Sequence, residues 1–559
     1  VIFPAAFLAA ILFLCAWWPP EIYWENNGVV VISVMLLAAW AVLKTGVKLP
    51  AWMAVLAGLC AVNIFTAPCA YASLETSLWF LAAALLGWLA WRIPPERSGF
   101  LLVSWLGVGA ALALYGVYQL GFGFEAAMRE AAAMPDAHAA LAMERLGSGR
   151  IFCRFALPAT YGGWLILLIP PAMAWTMAQT APARRIFGVA VAALLLCNLA
   201  LTFAWGPVAA LGVAALPMLW RAVRERRKSA LVLAGLAAAA AGAYGTWTLR
   251  ESEIFARPSI AHPVEARLAN WEIAAALWKE SPWLGKGLGN YGIEYPRLRR
   301  RWMNETRYAH NSYLQLLAEA GLAVLPLMGF LLWRWARGFF HRANVMGTGL
   351  ETGCLAFLIH NAVDFTLFMP GTLLAFAMAA GLLMRRRAGD AAEKPAPSPS
   401  AGGRANVFAA AGRYASMLLL LMSAGTAFFM QKAVLHYENA RFAMEGGGSA
   451  EEALHEISLS KKFFPWRAEP FIYEARIWLR RHPFPGALER ARANAERAVA
   501  LNPHMPFYHA VLGKIYLKEN DYDRALDAYA QASRLYPVKA QYAWQVKRIR
   551  QLKRRHGSA

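Results

Sequence analysis

Residues 250–321 read RESEIFARPSIAHPVEARLANWEIAAALWKESPWLGKGLGNYGIEYPRLRRRWMNETRYAHNSYLQLLAEAG, the longest polar interruption in an otherwise apolar sequence. The stretch is rich in arginine and ends on His310-Asn311, where the next apolar run begins. Polar groups between apolar spans are expensive to keep, so a membrane protein concentrates its chemistry there.

Outward from this stretch, composition sets the class. The chain has 559 residues, 58% hydrophobic and 16% charged, with a mean hydropathy of +0.36. Soluble domains run at about 45–50% apolar and about 25% charged, so the sequence belongs with membrane proteins. Its formal charge of +22 is dispersed in short clusters between apolar runs. That pattern is a topology signal and not the footprint of a nucleic-acid binder. The six cysteines, at 15, 60, 69, 153, 197 and 354, form no CxxC and lie mostly in apolar runs. They read as buried thiols, with no metal site and no cofactor.

A span needs about 20 apolar residues. Candidates fall near 1–18, 28–43, 51–67, 74–91, 100–120, 156–178, 186–204, 206–220, 230–249, 313–336, 348–368, 371–384 and 407–430. The expected fold is therefore all-α, a polytopic membrane protein of about 12–13 transmembrane helices with a helical C-terminal domain. The first run has no small-residue cleavage site and reads as a span. Alternate loops carry the basic residues: Lys44 and Lys48, Arg92 and Arg97, Arg184 and Arg185, Arg221 to Lys228, Arg334 to Arg342, and Arg385 to Arg404. The short loops between them carry none. By the positive-inside rule the N-terminus is cytoplasmic, and the loops 121–155 and 250–312 face outward. A core of 1–387 is followed by 388–406, a Pro/Ser/Ala/Gly linker unable to build a core. The 407–430 span then carries residues 432–559 to the outer side.

That last segment is helical in pattern. Leu512, Gly513, Tyr516, Ala525, Tyr529, Ala532 and Pro537 fall at tetratricopeptide spacing, with His509 at the Trp position as the departure. Pro503 and Pro537 are 34 residues apart, the period of that repeat. Looser repeats are expected at 450–464, 470–481 and 486–501. Stacked helix pairs leave a concave face suited to a partner.

Within the central loop, 265–280 reads as an amphipathic helix with Leu268, Trp271, Ala275 and Trp278 on one face. Arg267 and Asn270 point elsewhere. Glycines at 285, 287, 289 and 292 mark a tight loop whose backbone approaches something closely. The strand and helix of a dinucleotide fingerprint are missing around them. Arg297, Arg299, Arg300, Arg301 and Arg307 follow. Arginine forks match phosphate oxygens, and a solvated basic loop is the alternative. His310 sits at a helix start, where a neutral imidazole serves either as a proton acceptor or as a capping residue.

RLANW, PWLGKGLGNY and HNSYLQLLAEAG together resemble the signature of the O-antigen ligase and O-antigen polymerase superfamily of bacterial inner-membrane proteins. The ligase pattern of His, then Asn or Ser, then nine residues, then Gly is met by His310, Asn311 and Gly321; Val324 departs from the next position. LIHNAVDFTLFMPGT, with His360 and Asp364, is similar to the family's stretch after its long loop. GSGRIFCRFALPATYGGWLILLIP resembles the segment before the sixth span. The resemblance covers about residues 20–385, and appended repeats occur among such proteins.

The resemblance implies a glycosyltransferase that moves a glycan from undecaprenyl diphosphate to an acceptor hydroxyl, on the periplasmic side, with inversion and without a metal. The acceptor it implies is a glycan, lipid A-core or a protein. His310 would be the base, Arg267 would pair with the diphosphate, and Asp364 would support. Asn311, Arg150, Arg154, Arg297, Arg299, Arg300 and Arg301 would bind substrate. The family stretch LTxSRG carries a second diphosphate-binding Arg, whereas this chain has Ala204-Trp205 at the Ser-Arg pair. Either Arg150, Arg154 or one of Arg297–Arg301 replaces that cation, or this member is weak or inactive. Two other readings stand beside this one: a polymerase of the same superfamily, and a non-catalytic scaffold that recruits a protein through its repeats.

Overall fold

The computed structural model describes residues 3–17, 27–45, 48–132, 143, 146–224, 263–339, 345–388, 403–445 and 447–556, and every regular element among them is a helix. Six helices are long and apolar enough to cross a membrane: Gly28–Thr45, Ala70–Arg92, Glu96–Ala132, Pro158–Ala178, Pro182–Leu201 and Ala410–Glu445. The bent pair Ser312–Ala320 and Leu322–Arg334 raises the number to seven if it forms one span. Ala5–Trp17, Ala51–Thr66, Trp205–Pro217 and Val345–His360 are shorter apolar helices. The chain is thus a multi-pass membrane protein, with fewer full-length spans among the described residues than the thirteen apolar runs suggest. The expected span at 230–249 and most of the 388–406 linker lie outside the described residues.

Three elements differ from the sequence expectation. Residues 119–132, expected to open an outer loop, continue the preceding helix through a π-helical stretch, Gln119–Gly123, into Phe124–Ala132. Ala, Glu and Arg are strong helix formers, so a polar composition alone does not end a helix. The apolar run at 313–336 is not straight. It bends by 108° at Gly321, whose φ is 65° and where a Cβ would lie 2.4 Å from the Trp283 carbonyl carbon. The amides of Leu322 and Ala323 donate there to the Pro282 and Trp283 carbonyls at 2.8 and 3.0 Å, so carbonyls of the loop satisfy two amides that the break frees. Finally, the 407–430 span and the start of the C-terminal segment form one helix, Gly403–Glu445. Nothing between Gln431 and Glu445 breaks it; Gly447 and Gly448 follow its end.

The chain divides into two compact units. The first comprises 1–48, 82–259 and 329–420. At its centre the Pro158–Ala178 helix is buried along most of its length and packs on Val345–His360. Small residues permit this: a Cβ at Gly353 would lie 2.6 Å from the Leu167 carbonyl oxygen. Close backbone approach through small residues is the packing mode that membrane helices favour.

The second unit comprises 49–81, 260–328 and 421–559. It gathers the polar loop and the C-terminal helices, and so cuts across the sequence segments 1–387 and 432–559. The C-terminal helices are Ala450–Phe463, Glu469–Arg480, Ala487–Leu501, Pro506–Lys518, Tyr522–Leu535 and Ala540–His556, each packed against the next. Fully buried Ala487, Ala491, Ala495 and Ala498 form one face of their helix and admit close neighbours. Ser449 and Asp521 cap two of the helices by accepting from Glu452 N and Arg524 N, each contributing about 1 kcal/mol.

Candidate functional site

The loop 281–291 is fixed by a buried acid that its own sequence does not contain. Glu319, 1% exposed, accepts from Gly289 N at 2.8 Å, Tyr291 N at 3.1 Å and Gln315 Nε2 at 3.2 Å. Lys286 N and Gly287 N donate to the Ala318 and Glu319 carbonyls, each at 2.8 Å. A Cβ at Gly285 would lie 2.3 Å from the Glu319 carbonyl carbon, which is the close approach the glycines imply. On its other side, the buried Asn290 accepts from Cys69 N at 3.0 Å and donates to Ser73 Oγ at 2.9 Å. Leu288 N donates to Asn63 Oδ1 at 3.0 Å. The loop is thereby locked between the Ser312–Ala320 helix and the turn joining Ala51–Thr66 to Ala70–Arg92.

This lock presents His310. Asn311 is the N-cap of Ser312–Ala320, its Oδ1 accepting from Tyr313 N at 3.1 Å and Leu314 N at 3.0 Å. His310 has a φ of 55°, an uncommon left-handed conformation for a residue other than glycine. Its carbonyl accepts from Trp271 Nε1 at 3.2 Å, and Ala309 N donates to Gln315 Oε1 at 3.0 Å. Trp271 belongs to the Pro263–Glu280 helix, and Arg267 lies one turn before it, on the same side. The structure therefore joins the helix of Arg267 to the strained backbone of His310. Arg267 is half-buried and has no ion-pair partner among the described residues.

The buried face of the Pro263–Glu280 helix is not the expected one. Ala269, Asn270, Ile273, Ala274 and Leu277 are buried, while Leu268 is 49% exposed. Hydrogen bonding turns the helix. Asn270 Oδ1 accepts from Tyr295 Oη at 2.9 Å, and the Asn270 carbonyl accepts from Tyr291 Oη at 3.0 Å. Drawing Asn270 inward carries its neighbours with it.

The arginine run is held quite differently from Arg267. Arg297 pairs with Glu280 at 2.6 Å and Glu294 at 3.3 Å. Arg299 pairs with Glu305 at 3.1 Å, donates to the Met303 carbonyl at 2.6 Å and donates to Tyr536 Oη. Arg300 pairs with Glu272 at 2.9 Å. Arg301 is exposed. Glu294, 1% exposed, also meets His504 of the C-terminal helices. Burial is the largest influence on its carboxyl and opposes ionisation, but His504 and Arg297 outweigh it and hold the pKa below the ordinary value.

The remaining candidates lie in the first unit. Arg150 Nε donates to the Thr202 carbonyl at 3.0 Å, and Ile151 N donates to the Leu201 carbonyl at 3.1 Å. Arg150 is thus set against the turn that carries Trp205, itself 47% exposed. Arg154 Nε donates to the Trp17 carbonyl at 3.0 Å, and its guanidinium lies 5.7 Å from the Tyr115 ring centroid. Asp364 is buried; its Oδ1 accepts from Phe365 N at 2.7 Å and its Oδ2 lies 3.9 Å from His360 Nε2. A Cβ at Gly206 would lie 3.4 Å from that same nitrogen, so His360 stands between Asp364 and the Trp205 turn. Among the described residues no three His, Cys, Asp or Glu side chains converge to hold a metal.

Sequence reasoning missed Glu319, Asn290 and Glu294, and named His360 only as part of the stretch that carries Asp364. Glu319 had a signal, being the one acid in the otherwise apolar SYLQLLAEAG run.

With this geometry established, comparison with known families is informative. No curated protein matches the chain. Residues 190–333 match the protein-family model described as O-antigen ligase. That segment contains Arg267, the glycine loop, the arginine run and His310-Asn311. The match supports the O-antigen ligase superfamily and, for this multi-pass membrane protein, a ligase-like function in membrane glycan transfer.

Proposed function

We propose that the protein is a ligase-like glycosyltransferase of the bacterial inner membrane, acting on the periplasmic side. It transfers a glycan from undecaprenyl diphosphate to an acceptor hydroxyl, with inversion and without a metal. The observation that carries this reading is the Trp271–His310 hydrogen bond at 3.2 Å, which couples the Arg267 helix to His310 within the segment matching the ligase family.

In the proposed reaction His310 accepts the proton of the acceptor hydroxyl as its oxygen attacks the anomeric carbon. The bond from that carbon to the diphosphate breaks on the opposite face, which inverts the configuration. Arg267 meets the charge that develops on the departing diphosphate, where a positioned donor is worth about 3–4 kcal/mol of barrier. Arg150 takes the part of the family cation that Trp205 lacks, supported by its hydrogen bond into the Thr202–Trp205 turn. Asp364 acts as a supporting residue through its pairing with His360.

The C-terminal helices are tetratricopeptide-like repeats in this proposal, supported by the packing of each on the next and by the buried Leu512, Gly513, Tyr516, Ala525, Tyr529 and Ala532. They suit an acceptor larger than a single sugar. The test is genetic and chemical together. Cells lacking the protein are expected to accumulate lipid-linked glycan, and the wild-type chain, but not His310→Ala, to clear it. Clearance by His310→Ala would overturn the assignment.

A further inference from the structure

The last helix, Ala540–His556, has the sequence AQYAWQVKRIRQLKRRH. It holds Lys547, Arg548, Arg550, Lys553, Arg554 and Arg555 and no Asp or Glu. Tyr542 and Ile549 are 5% and 0% exposed and define its packed side. At 100° per residue, Trp544, Lys547, Arg548, Gln551 and Arg555 fall on the opposite side. Trp544 is 56% exposed, and the Arg548 guanidinium lies 5.5 Å from its ring centroid. Lys553 projects from the packed side and pairs with Asp523. With its apolar side already packed on protein, the helix offers outward a cluster of cations suited to anionic headgroups and a tryptophan of the kind found at membrane interfaces.

The position of the helix within its unit agrees with that composition. The Tyr71 ring, in the first turn of the candidate span Ala70–Arg92, lies 5.8 Å from the Phe464 ring and 5.7 Å from the Arg467 guanidinium. Farther along the C-terminal helices, Tyr536 contacts Arg299 and Glu305. The first contact pins the C-terminal helices at the end of a candidate span, and the second pins them to the polar loop that precedes the Ser312–Ala320 helix. The Ala540–His556 helix begins four residues after the second pin.

We propose that the Ala540–His556 helix docks on the headgroups of an anionic bilayer through Trp544, Lys547, Arg548 and Arg555. Each cation near such a surface is worth about 1 kcal/mol, or roughly fivefold in the docking equilibrium. The proposal rests on the chain being a membrane protein and not on the transferase assignment.

The test uses the full chain reconstituted in vesicles, with Gln551→Cys carrying an environment-sensitive fluorophore and the exposed Cys197 replaced by Ala. Vesicles of phosphatidylcholine are compared with vesicles containing about one third phosphatidylglycerol, both with a quencher attached to the lipid. Phosphatidylglycerol is expected to shift the emission to the blue and to bring quenching. Both effects should disappear at high salt, because exposed charges are screened. Both should also disappear when Lys547, Arg548 and Arg555 are changed together to Gln. Lys553→Gln, on the packed side, should leave the quenching unchanged, which separates docking from general destabilisation. Quenching that is equal in the two lipids, that survives the triple change, or that fails to appear overturns the proposal. So does a shift produced only by a soluble polyanion or protein.

Discussion

The arginines at 297–301 and the arginine at 267 occupy one unit and one polar loop, yet they are held in opposite ways. Arg297, Arg299 and Arg300 each face a carboxylate, from Glu280 and Glu294, Glu305 and Glu272 respectively. Arg267 has no such partner among the described residues, and its helix is tied to the His310 carbonyl through Trp271. Three of the four clustered arginines thus have their charge met within the loop and the helices beside it. Arg301 is exposed and Arg267 half-buried, and in the proposed reaction it is Arg267, one turn from Trp271, that offers its charge to the diphosphate.

The contrast can be broken most severely at Arg267. Arg267→Ala is expected to lower glycan transfer by about a hundredfold to a thousandfold, the usual loss for a donor aimed at developing charge. Arg267→Lys is expected to be nearly as impaired, because an ammonium lacks the planar two-pronged geometry. Full transfer by the Lys variant, measured against protein level, would reduce Arg267 to a general cation like those of the run.

Arg150 sharpens the comparison, because it is held by a backbone carbonyl, that of Thr202, and not by a carboxylate. Arg150→Ala is expected to reduce transfer by about tenfold or more. Adding Trp205→Arg should restore part of it, since both side chains belong to the same turn region. If the double variant is no better than Arg150→Ala alone, the replacement idea fails.

For the scaffold arginines the expected signature is stability. Glu294 is ionised in the fold below its ordinary value of 4.5. A depressed carboxyl stabilises the fold above that ordinary value, and the contribution is lost as pH falls from 4.5 through the lowered pKa. Thermal unfolding followed on both sides of this window should show the loss, and Glu294→Gln should show less of it. Identical pH dependence in the two proteins would remove Glu294 as the cause.

The smallest effect is expected at Arg300. Its pair with Glu272 is 60% exposed on both sides, and exposed pairs contribute about 0–1 kcal/mol. Arg300→Ala should leave transfer within about twofold of wild type and melting nearly unchanged. A transfer loss comparable to that of Arg267→Ala would erase the distinction drawn above.

Much of this arrangement was legible in the sequence, for reasons that are local. A helix start at His310-Asn311 was legible, although the residue that caps it is Asn311, expected to bind substrate, and not His310. Glycines at 285, 287 and 289 announced close backbone approach, and Glu319 and the Cys69–Ser73 turn are what they approach. The three C-terminal helices expected at 450–464, 470–481 and 486–501 begin and end within one residue of those limits. What stayed hidden depends on distant partners. The bend at Gly321 needs the Pro282 and Trp283 carbonyls, more than thirty residues earlier. The rotation of the Pro263–Glu280 helix is set by Tyr291 and Tyr295, not by its own apolar pattern. The counter-charges of Arg297, Arg299 and Arg300 come from two helices and a loop, so their ion pairs are invisible in the run itself.

The most direct test of the central claim is transfer by the purified full chain in vesicles containing undecaprenyl-diphosphate-linked glycan and a hydroxyl acceptor. Release of undecaprenyl diphosphate is measured for the wild type, His310→Ala and Arg300→Ala. The account predicts coupled product formation and diphosphate release by the wild type and Arg300→Ala, and loss of both by His310→Ala. Equal release by His310→Ala, or no dependence on the acceptor, would contradict it.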